Sequence, residues 1–268
     1  MSNAAEILIE TLIAWNVEVV FGLPGDGING IMEALRTRRG KIKFIQVRHE
    51  ESAAFMACAY AKWTGKLGVC LATSGPGGTH LLTGLYDAKL DQAPVLAITG
   101  MQFHDLIETF TQQDVDLTRV FNDVAVYNVQ VSDAAHMENV ASLACRTALA
   151  RKGVAHLSIA SDTQEQESEP TKRSKRNRPE HTPQNMFTGH MVAQDVELDK
   201  AAAVLNEAPR VAILPAVVRW GRQANWSELP SCCRRRWPRP CSARRCCRTI
   251  IPTRPVASAF WEHWHRRR

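Results

Sequence analysis

The sequence lacks three features that would assign it to large classes of protein. It contains no run of about 18 apolar residues, which excludes a membrane-spanning helix. Residues Met1–Glu10 lack a basic segment followed by an apolar one, so we expect no secretory signal and a cytoplasmic location. The pattern GxGxxG is also missing, which leaves a dinucleotide-binding fingerprint without support. With 268 residues, 45% of them hydrophobic, the chain can build one large domain or two ordinary ones.

Basic side chains are in the minority over most of the chain and are concentrated at its end. The net charge is +6, from 33 Lys and Arg against 27 Asp and Glu. Residues 215–268 hold 13 Arg and 2 Glu, a net +11, whereas the other 214 residues carry 20 basic and 25 acidic side chains, a net −5. The same 54 residues contain five of the eight Cys and five of the seven Trp. The basic excess therefore belongs to one segment with a composition of its own.

The first 160 residues alternate between helical and strand patterns. The predicted helices are Ala4–Asn16, Ile28–Arg36, Glu50–Thr64, Thr79–Asp91 and Ala134–Arg151. The predicted strands are Val19–Phe21, Lys43–Val47, Leu67–Ala72, Val95–Thr99 and Val154–Ile159. This alternation predicts an α/β fold, a parallel sheet with helices on both faces. Ligands of such sheets bind at the carboxyl ends of the strands, where the turns Gly22–Gly27, His49–Glu51 and Thr73–Gly78 fall.

A change in composition after residue 163 predicts a domain boundary. Residues 164–190 are polar and rich in Glu, Lys, Arg and Pro, which is typical of a solvated linker. Within them, Lys172–Arg178 is either an interaction patch or, the interpretation we favour, part of a charged linker. Residues 191–214 then open a second, central α/β domain, with a predicted helix at Leu198–Glu207 and a strand at Val211–Leu214.

Several strings within residues 1–163 occur in a fixed order and spacing. They are Phe21-Gly22-Leu23-Pro24-Gly25-Asp26, Val47-Arg48-His49-Glu50-Glu51, Thr64-Gly65-Lys66-Leu67-Gly68-Val69, Thr73-Ser74-Gly75-Pro76-Gly77-Gly78-Thr79-His80 and Ala93-Pro94-Val95-Leu96. With these strings, residues 1–163 resemble the pyrimidine-binding domain of thiamine-diphosphate enzymes of the acetolactate synthase and pyruvate oxidase group. The strings Gly78-Thr79-His80 and Gly84-Leu85-Tyr86-Asp87-Ala88 lean towards pyruvate oxidase.

The resemblance gives Glu50 a catalytic role. In this family the first Glu after the His is the carboxylate that hydrogen-bonds the aminopyrimidine ring and promotes its imino tautomer. Proton transfer by a placed group of this kind contributes about 10²–10⁴-fold to a rate. The position alone has a simpler interpretation, because an acidic residue in the first turn of a helix is favoured by the helix dipole.

The resemblance also implies a set of cofactor-binding residues: Gly25, Asp26, Thr73, Pro76, Gly77, His80, Phe110 and Gln112. For Gly77, ordinary turn chemistry explains the residue equally well. The segment Thr109–Gln113 carries one residue more than the family's Phe-Gln pair, so Gln112 and Gln113 both remain candidates.

The resemblance sets expectations for the whole protein as well. Intact relatives bind Mg²⁺ and the cofactor's diphosphate on a further domain with a Gly-Asp-Gly and Asn pair, and some bind FAD. Here Gly25-Asp26-Gly27 lacks the later Asn pair, so we expect no metal site and only the pyrimidine half of the cofactor. Relatives act on 2-oxo acids as dimers or tetramers. We therefore expect this chain to be inactive alone; an alternative role is a non-catalytic assembly partner of an intact relative.

The composition of residues 215–268 predicts a change of reading frame near Leu214. In the frame that joins the last base of each codon to the first two of the next, Trp and Cys codons give Leu, Val or Met, and CGN arginines give Ala, Pro, Ser or Thr. Re-read in this way, Thr249–Arg266 permits DDHPYTTGGIGLLGALAP, a string that resembles the central domain of the family. That string is a hypothesis about the gene and is not part of this protein.

The rival interpretation takes residues 215–268 as a nucleic-acid-binding segment. Its arginines could neutralise phosphates, and its five tryptophans could stack on bases. Its cysteines follow a CC-x7-C-x4-CC spacing, which matches no usual zinc module. We expect the other cysteines, Cys58, Cys70 and Cys145, to be core residues. A nucleic-acid partner is therefore not favoured.

Overall fold

The structure is a computed structural model that describes residues 2–168, 174–177 and 193–207. Two units are distinguished, Met1–Thr188 and Gly189–Arg268. The described part of the second unit is a helix, Asp195–Glu207, which confirms the helix predicted there. Most of the predicted linker, the strand Val211–Leu214 and residues 215–268 lie outside the described residues.

The first unit alternates strands with helices, as the sequence predicts. Its helices are α1 (Ala4–Ala14), α2 (Asn29–Thr37), α3 (Glu50–Thr64), α4 (Pro76–His80), α5 (Leu82–Leu90), α6 (Leu117–Val120), α7 (Ala134–Arg151) and α8 (Ser161–Glu165). Its strands are β1 (Val19–Gly22), β2 (Lys43–Gln46), β3 (Gly68–Ala72), β4 (Val95–Met101), β5 (Ala125–Val131) and β6 (Val154–Ala160). All six strands pair in parallel, in the order β2-β1-β3-β4-β6-β5. The predicted α/β fold is confirmed.

Each face of the sheet has its own apolar core. Because successive side chains of a strand point to opposite faces, Leu71 packs with the core beneath α1, α2 and α7, whereas its neighbour Cys70 packs with α3 and α5. Cys70 of β3 pairs with Ala97 of β4, and Ala97 pairs in turn with His156 of β6. The central strands β3, β4 and β6 are buried along their whole length, as the continuous apolar runs in the sequence indicate.

Several parts of the first unit differ from the prediction, among them the short helices α6 and α8, which were not predicted. The helix predicted at Thr79–Asp91 begins earlier, at Pro76, and divides into α4 and α5 at Leu81. The edge strand β5 was not predicted, although its alternating polarity and half-burial are typical of a strand at the edge of a sheet.

The residues that follow the predicted boundary at residue 163 pack against the first unit. Gln164 is fully buried, and its amide donates to the carbonyl oxygens of Gly27 at 2.8 Å and Ile159 at 3.2 Å. Its Oε1 accepts from the backbone N–H of Ile31 at 3.3 Å. The chain stays attached beyond that residue, since the carbonyl of Gln166 accepts from the N–H of Ala4 at 3.0 Å.

Candidate functional site

Three glycines surround one threonine at the carboxyl edge of the sheet. The hydroxyl of Thr73 accepts a hydrogen bond from the backbone N–H of Gly27 at 3.1 Å. A Cβ atom on Gly25 would lie 2.6 Å from the Thr73 Cβ, and one on Gly77 would lie 2.7 Å from its Cγ2. On Gly27 it would lie 2.8 Å from the same hydroxyl. We call Gly25, Gly27, Gly77 and Thr73 the glycine cradle; the close approach of two turns leaves no room for side chains on these glycines.

Glu50 lies beside this cradle at the start of α3. The residue is only 7% exposed, and its Oε2 lies 3.0 Å from Nδ1 of His80, the last residue of α4. Its other oxygen faces the cradle, because a Cβ on Gly77 would lie 3.5 Å from Oε1. The carboxylate is thus held through one oxygen and presents the second to the cradle.

A second histidine completes the group around Glu50. His49 is the N-cap of α3, where its Nδ1 accepts the backbone N–H of Glu51 at 3.3 Å. Its ring stacks on that of His80, with the centroids 4.6 Å apart. We call His49, Glu50 and His80 the edge cluster. One donor atom from each of the three lies within 4.8 Å of the others, so the cluster is also able to hold a metal ion.

A cavity of about 250 Å³ opens at the same edge of the sheet. It is lined by Asp26, Gly27, Asn29, Gly30, Ser74, Gln102, Phe103, Ser161 and Glu165. Of the residues predicted to bind a cofactor, Asp26 alone appears in this lining. The volume is below the range of about 300–1,000 Å³ usual for small-molecule sites.

The structure brings most of the predicted site residues together but leaves two apart. Gly25, Thr73 and Gly77 form the cradle, and Pro76 begins the helix that ends at His80. By contrast, Phe110 is 98% exposed, and Gln112 is exposed as well.

The neighbouring glutamine, Gln113, contacts the turn after β3 through its side chain. Its Oε1 accepts a hydrogen bond at 2.8 Å from the hydroxyl of Ser74, which is 2% exposed and belongs to the turn after β3. The turn passes so close that a Cβ on Gly75 would lie 2.8 Å from the Gln113 carbonyl oxygen. Gln113 is thus the glutamine whose side chain contacts this turn, whereas the choice between Gln112 and Gln113 as the cofactor-binding residue stays a prediction.

A second histidine site lies in the interior and was not predicted. His156 is fully buried on β6, with Nδ1 2.7 Å from Oδ1 of Asn128 and Nε2 2.9 Å from the hydroxyl of Thr99. The amide nitrogen of Asn128 donates to the Thr118 carbonyl, so its Oδ1 accepts from the imidazole. The ring also stacks on Phe121 at a centroid distance of 4.0 Å. Burial lowers the pKa of His156 to about 3, so this interior histidine network is neutral.

The three cysteines of the first unit are buried thiols, as predicted. Burial, reinforced by a hydrogen bond to Asp87, raises the pKa of Cys58 to about 12. Burial also raises the pKa of Cys145 to about 12 and shifts that of Cys70 upward. Thiols with such pKa values are not ionised near neutral pH and are poor nucleophiles.

Comparison with known proteins matches the first part of the chain to one family. Residues 2–120 match the family described as thiamine pyrophosphate enzyme, N-terminal TPP binding domain. The chain is 43% identical over 212 residues to a putative thiamine pyrophosphate-containing protein of Bacillus subtilis, covering 79% of this chain and 36% of the relative.

Two further relatives carry more specific names. The chain is 46% identical over 159 residues to a pyruvate oxidase of Lactiplantibacillus plantarum, covering 59% of this chain and 26% of the relative. It is 47% identical over 115 residues to the large subunit of acetolactate synthase isozyme 2 of Escherichia coli, covering 43% and 21%. The chain thus spans well under half the length of these relatives. Among the residues that the structure describes, no helix is long and apolar enough to cross a membrane.

Proposed function

We propose that Glu50 is the catalytic carboxylate of a site for the pyrimidine half of thiamine diphosphate. The premise is that residues 2–120 of this chain belong to the N-terminal TPP-binding domain family of thiamine pyrophosphate enzymes, in the group of pyruvate oxidase and acetolactate synthase. The observation that carries the proposal is the position of the Glu50 carboxylate. One oxygen is held by His80, and the other faces the glycine cradle.

The residues at this edge fit a flat heteroaromatic ring. Side chains are excluded at Gly25 and Gly77 by their contacts with Thr73, so only backbone is presented beside the Glu50 carboxylate there. A buried carboxylate beside such a surface suits a ring that carries both a hydrogen-bond donor and an acceptor. Gln113 and Ser74 add a hydrogen-bonded pair at the same edge.

In the proposed chemistry, this chain positions the pyrimidine ring and moves a proton. Thiamine diphosphate, when bound, supplies the electron sink for cleaving the bond next to the carbonyl group of a 2-oxo acid. Glu50 is placed to hold and to release a proton at the pyrimidine ring. His80 fixes the carboxylate through Oε2, and burial keeps water from competing for it.

The rest of the proposal follows the relatives. We propose a 2-oxo acid such as pyruvate as substrate, Mg²⁺ bound with the diphosphate on a further domain, and a homo-oligomer, either a dimer or a tetramer. FAD belongs to the same proposal if the reaction is that of an oxidase, which requires it. Bound FAD would therefore distinguish oxidation from carboligation. A cytoplasmic location stays a prediction of the sequence.

We also propose that residues 215–268 are read out of frame. The match to the Bacillus subtilis relative spans 212 residues, close to the 214 that precede the change in composition. A match of this length is what a chain that follows its family up to about Leu214 would give. Sequencing the gene across codon 214 tests the proposal; an uninterrupted frame with no family-like sequence downstream in another frame would contradict it.

The role of Glu50 is tested by exchange of the C2 proton of thiamine diphosphate in D₂O, followed by NMR. Because this chain is expected to be inactive alone, the measurement uses an intact relative in which the residue aligned with Glu50 is a glutamate. We expect replacement of that glutamate by Gln to lose most of the acceleration of exchange, about 10²-fold or more. The matched control replaces the residue aligned with Glu51, and near-normal exchange in the first variant would contradict the role.

A further inference from the structure

We propose that the edge cluster is a binding site for a divalent metal ion of the Zn²⁺ class, separate from the Mg²⁺ that accompanies the cofactor's diphosphate. Two imidazole nitrogens and one carboxylate oxygen form the His₂Glu donor set of open zinc sites, which leave a fourth position for water. The site thus has a different ligand chemistry from a magnesium site, which prefers oxygen donors.

The geometry of the cluster is near that of a coordinated ion. Oε2 of Glu50 lies 3.0 Å from Nδ1 of His80. Two ligands of a tetrahedral zinc ion with bonds of about 2.0–2.1 Å are roughly 3.3 Å apart, so an ion could replace the proton that these two atoms share. The third donor, from His49, lies within 4.8 Å of both.

The histidines are able to close the remaining distance. The side chains of His80 and His49 are 45% and 52% exposed, so they can change rotamer without disturbing the core. The side chain of Glu50 is only 9% exposed, so it stays in place while the histidines move towards it. The Nδ1 of His49 accepts the Glu51 N–H, which leaves its Nε2 for the metal. A second carboxylate, that of Glu51, lies 4.0 Å from this ring and adds negative charge.

Occupation by a metal has a consequence that rests on the proposed function. The ion would engage the same carboxylate that is proposed to face the pyrimidine ring. Metal and cofactor should therefore compete, so zinc should inhibit the binding of the cofactor at this site.

The test is a calorimetric titration of the full chain with ZnCl₂, after capping its thiols with iodoacetamide, because the five cysteines between residues 232 and 247 would otherwise bind zinc. We expect His80→Ala, His49→Ala and Glu50→Gln each to lose one bound equivalent or to weaken it at least tenfold. His104→Ala is the matched control: His104 pairs with the carboxylate of Asp162, and no third donor is grouped with them among the described residues. Unchanged zinc binding in all three cluster variants would overturn the site.

A zinc titration in the presence of thiamine separates this inference from the proposed function. Thiamine is used without its diphosphate because the diphosphate would itself chelate zinc. Weaker zinc binding in the presence of thiamine supports both. Cluster-dependent zinc binding that thiamine does not affect leaves the metal site standing and contradicts the pyrimidine site. Thiamine binding that Glu50→Gln weakens, with zinc binding that no cluster variant changes, overturns the metal site alone. Circular dichroism of each variant verifies that the fold is retained.

Discussion

The edge cluster and the interior histidine network use the same side chain in opposite ways. His80 is half-exposed and contacts a carboxylate and a second imidazole, all ionisable groups. His156 is fully buried and contacts an amide, a hydroxyl and the ring of Phe121, none of which titrates near neutral pH. The interior site therefore fixes one neutral state and joins β4, β5 and β6, whereas the edge site presents its ionisable groups at the surface, where the proposed proton and metal binding would take place. Under those proposals, stability and chemistry are assigned to different histidines.

Replacement of His156 should have the largest effect on the free energy of unfolding. A small effect would contradict the comparison of the two histidine sites. His156→Leu leaves the hydroxyl of Thr99 and Oδ1 of Asn128 without their partner in the interior. We expect the free energy of unfolding to fall by about 2–4 kcal/mol. His80→Leu, at the edge, should cost less than about 1 kcal/mol. Urea unfolding followed by circular dichroism measures both, and equal losses would contradict the division of roles.

The pH dependence of stability sharpens the same contrast. The folded state holds the pKa of His156 at about 3 against an ordinary 6.5, so the unfolded chain binds a proton more readily between these values. The contribution is fully present above pH 6.5 and is lost as the pH falls towards 3, at up to about 1.4 kcal/mol per pH unit. The difference in unfolding free energy between wild type and His156→Leu should therefore shrink from pH 7 to pH 4.5. A constant difference over that range would show that His156 is not held neutral.

The glycine cradle predicts a smaller effect at the edge. Gly77→Ala places a Cβ 2.7 Å from Cγ2 of Thr73, so the turn must shift, at a cost of about 1–3 kcal/mol. Gly40→Ala is the matched control, because nothing lies within 4 Å of a Cβ built there, and it should change stability by less than about 0.5 kcal/mol. Thermal or urea unfolding of the two variants compares them directly. Similar behaviour would show that the cradle is not tightly packed.

The smallest effect concerns the two adjacent glutamines. Gln113→Ala removes the acceptor of the buried Ser74 hydroxyl and should cost about 1 kcal/mol. Gln112→Ala removes an exposed side chain and should stay within about 0.5 kcal/mol. A larger loss for Gln112 in urea unfolding would contradict this difference between the two glutamines.

The sequence predicted those features that depend on local pattern. Continuous apolar runs predicted β3, β4 and β6, because buried parallel strands need apolar residues on both faces. The start of α3 at Glu50 also followed from the sequence, since it is a change from a strand pattern to an Ala-rich helical one. What was missed depends on contacts between distant parts of the chain. His156 has its two partners on β4 and β5, and Gln164 is polar within a polar segment, so neither has a local signal of burial.

The buried amide of Gln164 has a consequence for where this domain can be cut. It satisfies the carbonyls of Gly27 and Ile159 and the N–H of Ile31, and the next turn supplies Gln166 to the N–H groups of Ala4 and Ala134. A protease acting after residue 163 would leave these interior backbone groups without partners. The smallest fragment that keeps the fold intact therefore extends to about Ser168, five residues past the point at which the composition changes.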